Sequence, residues 1–170
     1  YVKGLRVDLS LKEEVEAKNI GVLEHSIIKN YFEQNEEYEE CLHKEYVEEI
    51  LNRYMLEKGI TLNKIKKESL VLELFDYTQK ALLFLVAIKT TFSGVEISLE
   101  VPIRENGFIG SIDLLIKWSD SYGVIDFKRS TYGIPSVKSV DECRSIQLTS
   151  YLARLKNKYS INQLSFFGYF

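Results

Sequence analysis

The sequence predicts an α/β fold in which a mixed central β-sheet is flanked by helices, with an N-terminal helical segment. Three observations carry that expectation. Three segments, residues 21 to 32, 47 to 55 and 62 to 88, repeat their apolar positions at helical spacing. Residues 95 to 129 read as consecutive strands rich in β-branched and aromatic side chains. A further helical pattern and a closing strand follow, giving the order helices, strands, helix, strand rather than a doubly wound alternation.

Taken in order, Ser10-Leu-Lys-Glu13 has capping-box spacing and opens a short amphipathic segment with Leu11 and Val15. Val22, Leu23, Ile27, Ile28, Tyr31 and Phe32 then form a broad apolar face at helical spacing, with His25 and Lys29 on one line at i, i+4. The acidic residues between 31 and 49 predict a solvated loop leading into a helix through Val47, Ile50, Leu51, Tyr54 and Met55, and Gly59 offers its C-terminal stop. From Leu62 to Ile88 the pattern is helical again and strongly apolar toward its end, as expected of a helix packed across a sheet.

The predicted strands are Val95–Ile103, Gly107–Trp118 and Tyr122–Arg129, with Asn106-Gly107 in a tight hairpin turn and Ser119-Asp120-Ser121 in a polar one. Residues 130–138 read as a loop. Ser139-Val-Asp-Glu142 is a second capping box, opening a helix in which Gln147 and Tyr151 lie at i, i+4. Leu164–Phe170 forms a last strand.

With 170 residues and 45% hydrophobic content, the chain can bury one sizeable core, so a single domain over 1–170 is expected, mainly helical over 1–90 and built on the sheet and a helix over 94–170. An opening Tyr and a strand cut off at Phe170 suggest a domain excised from a longer protein. No transmembrane run and no signal peptide are present, and Cys41 and Cys143 read as reduced thiols, so a cytoplasmic location without membrane contact is expected. The net charge of −3 does not favour a nucleic-acid binder, but its distribution is uneven. Residues 1–50 carry 6 Lys/Arg against 13 Asp/Glu, and residues 128–170 carry 7 against 2. A basic face that includes Arg129, Lys138 and Arg144, beside an acidic cluster, is compatible with phosphate binding and equally with an ordinary charged surface.

The chemistry concentrates between Gly107 and Ser130. Asp113 sits inside an apolar strand, where a carboxylate is costly unless its charge is compensated. Alternation puts Asp126 and Lys128 on one face of the next strand, with Ile125 and Phe127 on the other. The acids and the lysine could thus converge on adjacent strands, where a divalent cation would relieve the repulsion. A turn-bonded aspartate plus a surface ion pair is the plain alternative, and D-x-K alone recurs by chance.

The ordered set Gly21-x-x-x-His25, Gly110-Ser-Ile-Asp113, Asp126-Phe-Lys128 and Gln147-x-x-x-Tyr151 resembles the PD-(D/E)XK nuclease superfamily, and within it the RecB-like branch of recombination helicase-nucleases and CRISPR spacer-acquisition nucleases. The resemblance runs from about Gly21 to Phe170 and implies a restriction-endonuclease-like core. It implies an exonuclease-type, metal-dependent DNA nuclease in repair or recombination. Mg²⁺ or Mn²⁺ would be held by His25, Asp113, Asp126 and the backbone carbonyl of Phe127. Lys128 would orient the attacking water and offset charge on the scissile phosphate, with Gln147 and Tyr151 supporting the site or touching DNA. Glu100 is an additional carboxylate that alternation could equally place in solvent. Two cysteines are too few for the four-cysteine iron–sulfur cluster of some members, so none is expected within this fragment. No Walker motif is present, so a helicase or ATPase partner would lie outside it. The competing implication is a catalytically silent nuclease fold that binds DNA or a partner protein.

Overall fold

The structure, a computed structural model, describes residues 15, 17–34, 42–105, 108–119, 121–128 and 163–170. Helices α1 (Ala17–Gln34), α2 (Lys44–Lys58) and α3 (Lys64–Thr91) precede strands β1 (Glu96–Glu105), β2 (Phe108–Trp118), β3 (Ser121–Asp126) and β4 (Gln163–Tyr169). The sheet order is β1-β2-β3-β4. The first three strands are antiparallel and β4 runs parallel to β3, so the sheet is mixed, as the sequence predicts.

On α1 the predicted apolar face is buried through Leu23, Ile27, Ile28, Tyr31 and Phe32. The two ends of the acidic stretch 31–49 are helical rather than the expected loop: α1 continues to Gln34 and α2 begins at Lys44, while residues 35–41 lie outside the described residues. Tyr31 and Phe32 sit four residues beyond Ile27 and Ile28 and extend the same buried face. Glu45, Glu48 and Glu49 share α2 with the buried Val47 and Leu51, so a dense run of acids is here the solvent side of a helix. At the end of α2, Gly59 adopts φ 62°, ψ 35°, left-handed backbone that costs glycine nothing, and Ile60 N–H returns to the Met55 carbonyl at 2.9 Å.

Helix α3 starts where the Asn63 side chain accepts the Lys66 N–H at 2.9 Å. Its buried residues Leu70, Val71, Leu74, Thr78, Ala81, Leu82, Leu85 and Ile88 recur at three- and four-residue steps, one continuous stripe against the core. Buried Thr78 satisfies its hydroxyl by donating to the Leu74 carbonyl at 2.6 Å. Lys67 reaches Glu48 at 2.6 Å and ties α3 to α2. Leu74 is fully buried, so truncation to Ala would cost about 2–5 kcal/mol.

The helices pack on the sheet face that carries Leu114, Ile116, Ile125 and Phe127, which share one core with Ile27, Leu51, Leu74 and Leu85. At the chain end Phe170 stacks on Phe84 of α3 at 4.9 Å and meets Phe127 edge-on at 5.7 Å. No helix among the described residues is long and apolar enough to cross a membrane. The Ser10–Glu13 capping box, the Asn106-Gly107 turn and the helix expected from residue 139 lie outside the described residues.

Candidate active site

Strand register builds the site. Leu99 faces Leu114 and Val101 faces Ile112, which sets Glu100 opposite Asp113. Leu114 faces Ile125, and one more step of that register sets Asp113 opposite Asp126. Glu100, Asp113 and Asp126 therefore form a row across three neighbouring strands, at cross-strand distances where like charges repel. Helix α1 brings His25 to this row. Its ring meets Phe127 edge-on at 5.8 Å, and its Nδ1 lies 2.8 Å from Glu100 Oε1 and 3.7 Å from Asp113 Oδ1.

Each acid has its own setting. Glu100 Oε1 accepts from His25 Nδ1, and Glu100 Oε2 accepts from the Ser111 hydroxyl at 3.0 Å. The Glu100 backbone has φ 51°, the left-handed region, in the middle of a strand. That costs a non-glycine residue about 1 kcal/mol or more, and it coincides with the side chain's engagement by His25 and Ser111. Asp113 Oδ2 accepts the Phe127 N–H at 2.8 Å. Asp126 is buried and ion-paired with Lys128 at 2.7 Å.

The segment carrying Asp126, Phe127 and Lys128 is held on both sides. Phe170 N–H donates to the Asp126 carbonyl at 3.1 Å, and Lys128 N–H donates to the Phe170 carbonyl at 2.8 Å. Phe127 therefore turns its backbone groups the other way: its N–H meets Asp113, and in extended chain its carbonyl points to that same side.

Burial alone would lower the His25 pKa, but the hydrogen bond to Glu100 and the charges of Asp113, Glu100 and Asp126 outweigh it, and the net shift is upward. Burial raises Glu100, yet its hydrogen bond to His25, the imidazolium charge, Ser111 and the charge of Lys29 hold its carboxyl below the usual range. Asp113 goes the opposite way. Burial, with the charges of Asp126 and Glu100, pushes it up to about 7, against His25 and the Phe127 N–H.

His25, Glu100 and Asp113 offer ligand atoms that all lie within 4.8 Å of one another. Two carboxylates and one imidazole suit a hard divalent cation and leave room for Mn²⁺ as well as Mg²⁺. The residues present fit such an ion, and the proton shared between His25 and Glu100 is the one it would displace. Of the residues singled out in the sequence, His25, Asp113, Asp126, Phe127 and Lys128 come together here. Glu100, which alternation left undecided, turns inward to His25. Ser111 was not given a role from sequence; its place directly before Ile112-Asp113 was the available signal. Arg129, Lys138, Arg144, Gln147 and Tyr151 lie outside the described residues.

A mixed sheet that gathers three acids on adjacent strands, with a lysine at the end of one and an imidazole supplied by α1, makes this an α/β protein with a candidate metal centre. Sequence comparison gives the family. The chain belongs to the PD-(D/E)XK nuclease superfamily, whose model matches residues 1–164. No curated protein and no solved structure matches it.

Proposed function

We propose that this domain is a divalent-cation-dependent deoxyribonuclease of exonuclease type, of the RecB-like branch, working in DNA repair or recombination. The observation that supports it most is the convergence of His25, Glu100 and Asp113 within 4.8 Å, beside the Asp126–Lys128 pair at 2.7 Å. His25, Glu100, Asp113 and Asp126, with the Phe127 carbonyl, would hold Mg²⁺ or Mn²⁺, which when bound would supply Lewis acidity to activate water and a counter-charge for the phosphate. The chain's own residues do the rest. The Phe127 N–H fixes the rotamer of Asp113, and Ser111 fixes that of Glu100. Lys128, anchored by Asp126 and by its backbone bond to Phe170, orients the attacking water and offsets negative charge on the scissile phosphate. A carboxylate-paired ammonium is better suited to that electrostatic role than to accepting a proton.

The reading includes a helicase or ATPase partner outside these residues and a cytoplasmic setting. Its test is digestion of linear DNA with Mg²⁺ or Mn²⁺. Asp113→Ala and Lys128→Ala should abolish digestion while circular dichroism stays native. If the wild type digests neither DNA nor RNA with either ion, the silent nuclease-fold alternative replaces it.

A further inference from the structure

We propose that Lys29 is a substrate-binding residue of this site, its ammonium contacting a backbone phosphate that flanks the scissile one. The inference rests on the nuclease reading above. At 3.6 residues per turn, Lys29 lies one turn beyond His25 and about 40° round α1. Helical side chains lean toward the N-terminus, which tips Lys29 back over the turn that carries His25. On the other flank of His25 the surface of α1 is formed by Ile28 and Phe32, both buried in the core. Lys29 is thus on the flank of His25 away from the core, and its side chain is 36% exposed.

Lys29 stands one helical turn from His25, whose Nδ1 lies 2.8 Å from Glu100 Oε1. Its grip elsewhere is loose. The ion pair to Glu33 spans 4.0 Å, and the Glu33 side chain is 56% exposed, a pairing that contributes little. A phosphate oxygen can displace that partner without uncovering a buried charge. A contact to a flanking phosphate adds attraction beside the acidic row of Glu100, Asp113 and Asp126 and complements Lys128, which serves the scissile phosphate.

The test measures binding of a fluorescein-labelled DNA oligonucleotide by anisotropy in Ca²⁺, across a salt series, for wild type, Lys29→Met and Lys29→Arg. Lys29→Met should weaken binding roughly tenfold. It should also reduce the magnitude of the slope of log affinity against log salt by about 0.9 on duplex DNA, one phosphate contact. Lys29→Arg should retain most of both. The Mn²⁺-induced rise in Tm should be the same in all three, because Lys29 is not a ligand. Equal affinity and equal slope in wild type and Lys29→Met overturn the inference, as does a Lys29→Met variant that loses the Mn²⁺ response. Cleavage by wild type in Mn²⁺ judges the nuclease reading separately, so either can fail alone.

Discussion

Two groups of carboxylates, the exposed pairs of α2 and α3 and the row across the strands, differ in a way that bears on the chemistry. On the helices, Glu49 pairs with Arg53 at 2.9 Å and Asp76 with Lys80 at 2.7 Å, each four residues apart, with all four side chains 65–68% exposed. In the strand row, Glu100, Asp113 and Asp126 are partly or wholly removed from water and stand opposite one another. Glu49 and Asp76 are solvated first and paired second. The row acids depend on His25, Ser111, Lys128 and one backbone N–H for compensation. Acids kept at that cost are the ones to expect in a reaction centre.

The sharpest way to break the contrast is Asp113→Asn, which keeps the shape and an acceptor for the Phe127 N–H but removes the charge. It should lower kcat on linear DNA on the order of 10³-fold, the scale of losing one preorganised electrostatic partner. The same variant should lose the Tm rise that Mn²⁺ gives the wild type. Retention of both activity and Tm response in Asp113→Asn would mean the row is structural.

Next in size is Glu100, where Glu100→Gln should weaken Mn²⁺ binding, read by calorimetry. Ser111→Ala should weaken it by about 10–100-fold, since it frees a rotamer without removing a ligand. A Ser111→Ala loss larger than that of Glu100→Gln would reverse the assigned order of contact.

Dependence on pH follows from the same row. The folded-state pKa of Asp113, about 7, lies above its ordinary value of 3.8, so between those limits the folded protein holds a proton that the unfolded chain has released. Stability therefore falls as pH rises through that window. The raised His25 pKa acts in the same direction: its contribution is complete below the ordinary 6.5 and is lost as pH climbs through the folded value. In chelator, the Tm of wild type should decline from pH 5.5 to pH 8, and Asp113→Asn should decline less. Saturating Mn²⁺ should flatten the wild-type profile, because the ion competes with those protons. A chelated wild-type Tm that rises over this range contradicts the assigned compensation.

How much of this was legible in the sequence differs residue by residue. Asp113, Asp126 and Lys128 are readable because acids and a lysine interrupt apolar strands, and alternation sorts Asp126 and Lys128 from Ile125 and Phe127, which join the core. His25 carries no signal of its own on an amphipathic helix and became a candidate only through the glycine four residues before it. Glu100 could not be placed from periodicity. With φ at 51°, it departs from the extended geometry that makes side chains alternate, and its contacts come from residues 75 and 11 positions away. At the ends of the acidic stretch 31–49 the density of acids hides helix: α1 runs on to Gln34 and α2 starts at Lys44, ahead of the Val47 and Leu51 face that apolar spacing does show.

The smallest expected effect completes the contrast from its other side. Glu49→Gln removes the acid that Arg53 contacts at 2.9 Å on the exposed side of α2. Helix pairs of this spacing contribute about 0.3–0.5 kcal/mol, and salt screens part of that. The change leaves no buried group without a partner, because both side chains already face water. Glu49→Gln should therefore shift Tm by no more than a few degrees, with DNA digestion and Mn²⁺ response unchanged. A loss of activity in Glu49→Gln with Tm preserved would mean that the flank of α2 takes part in substrate contact, and the division between solvated and reactive acids would have to be redrawn to include it.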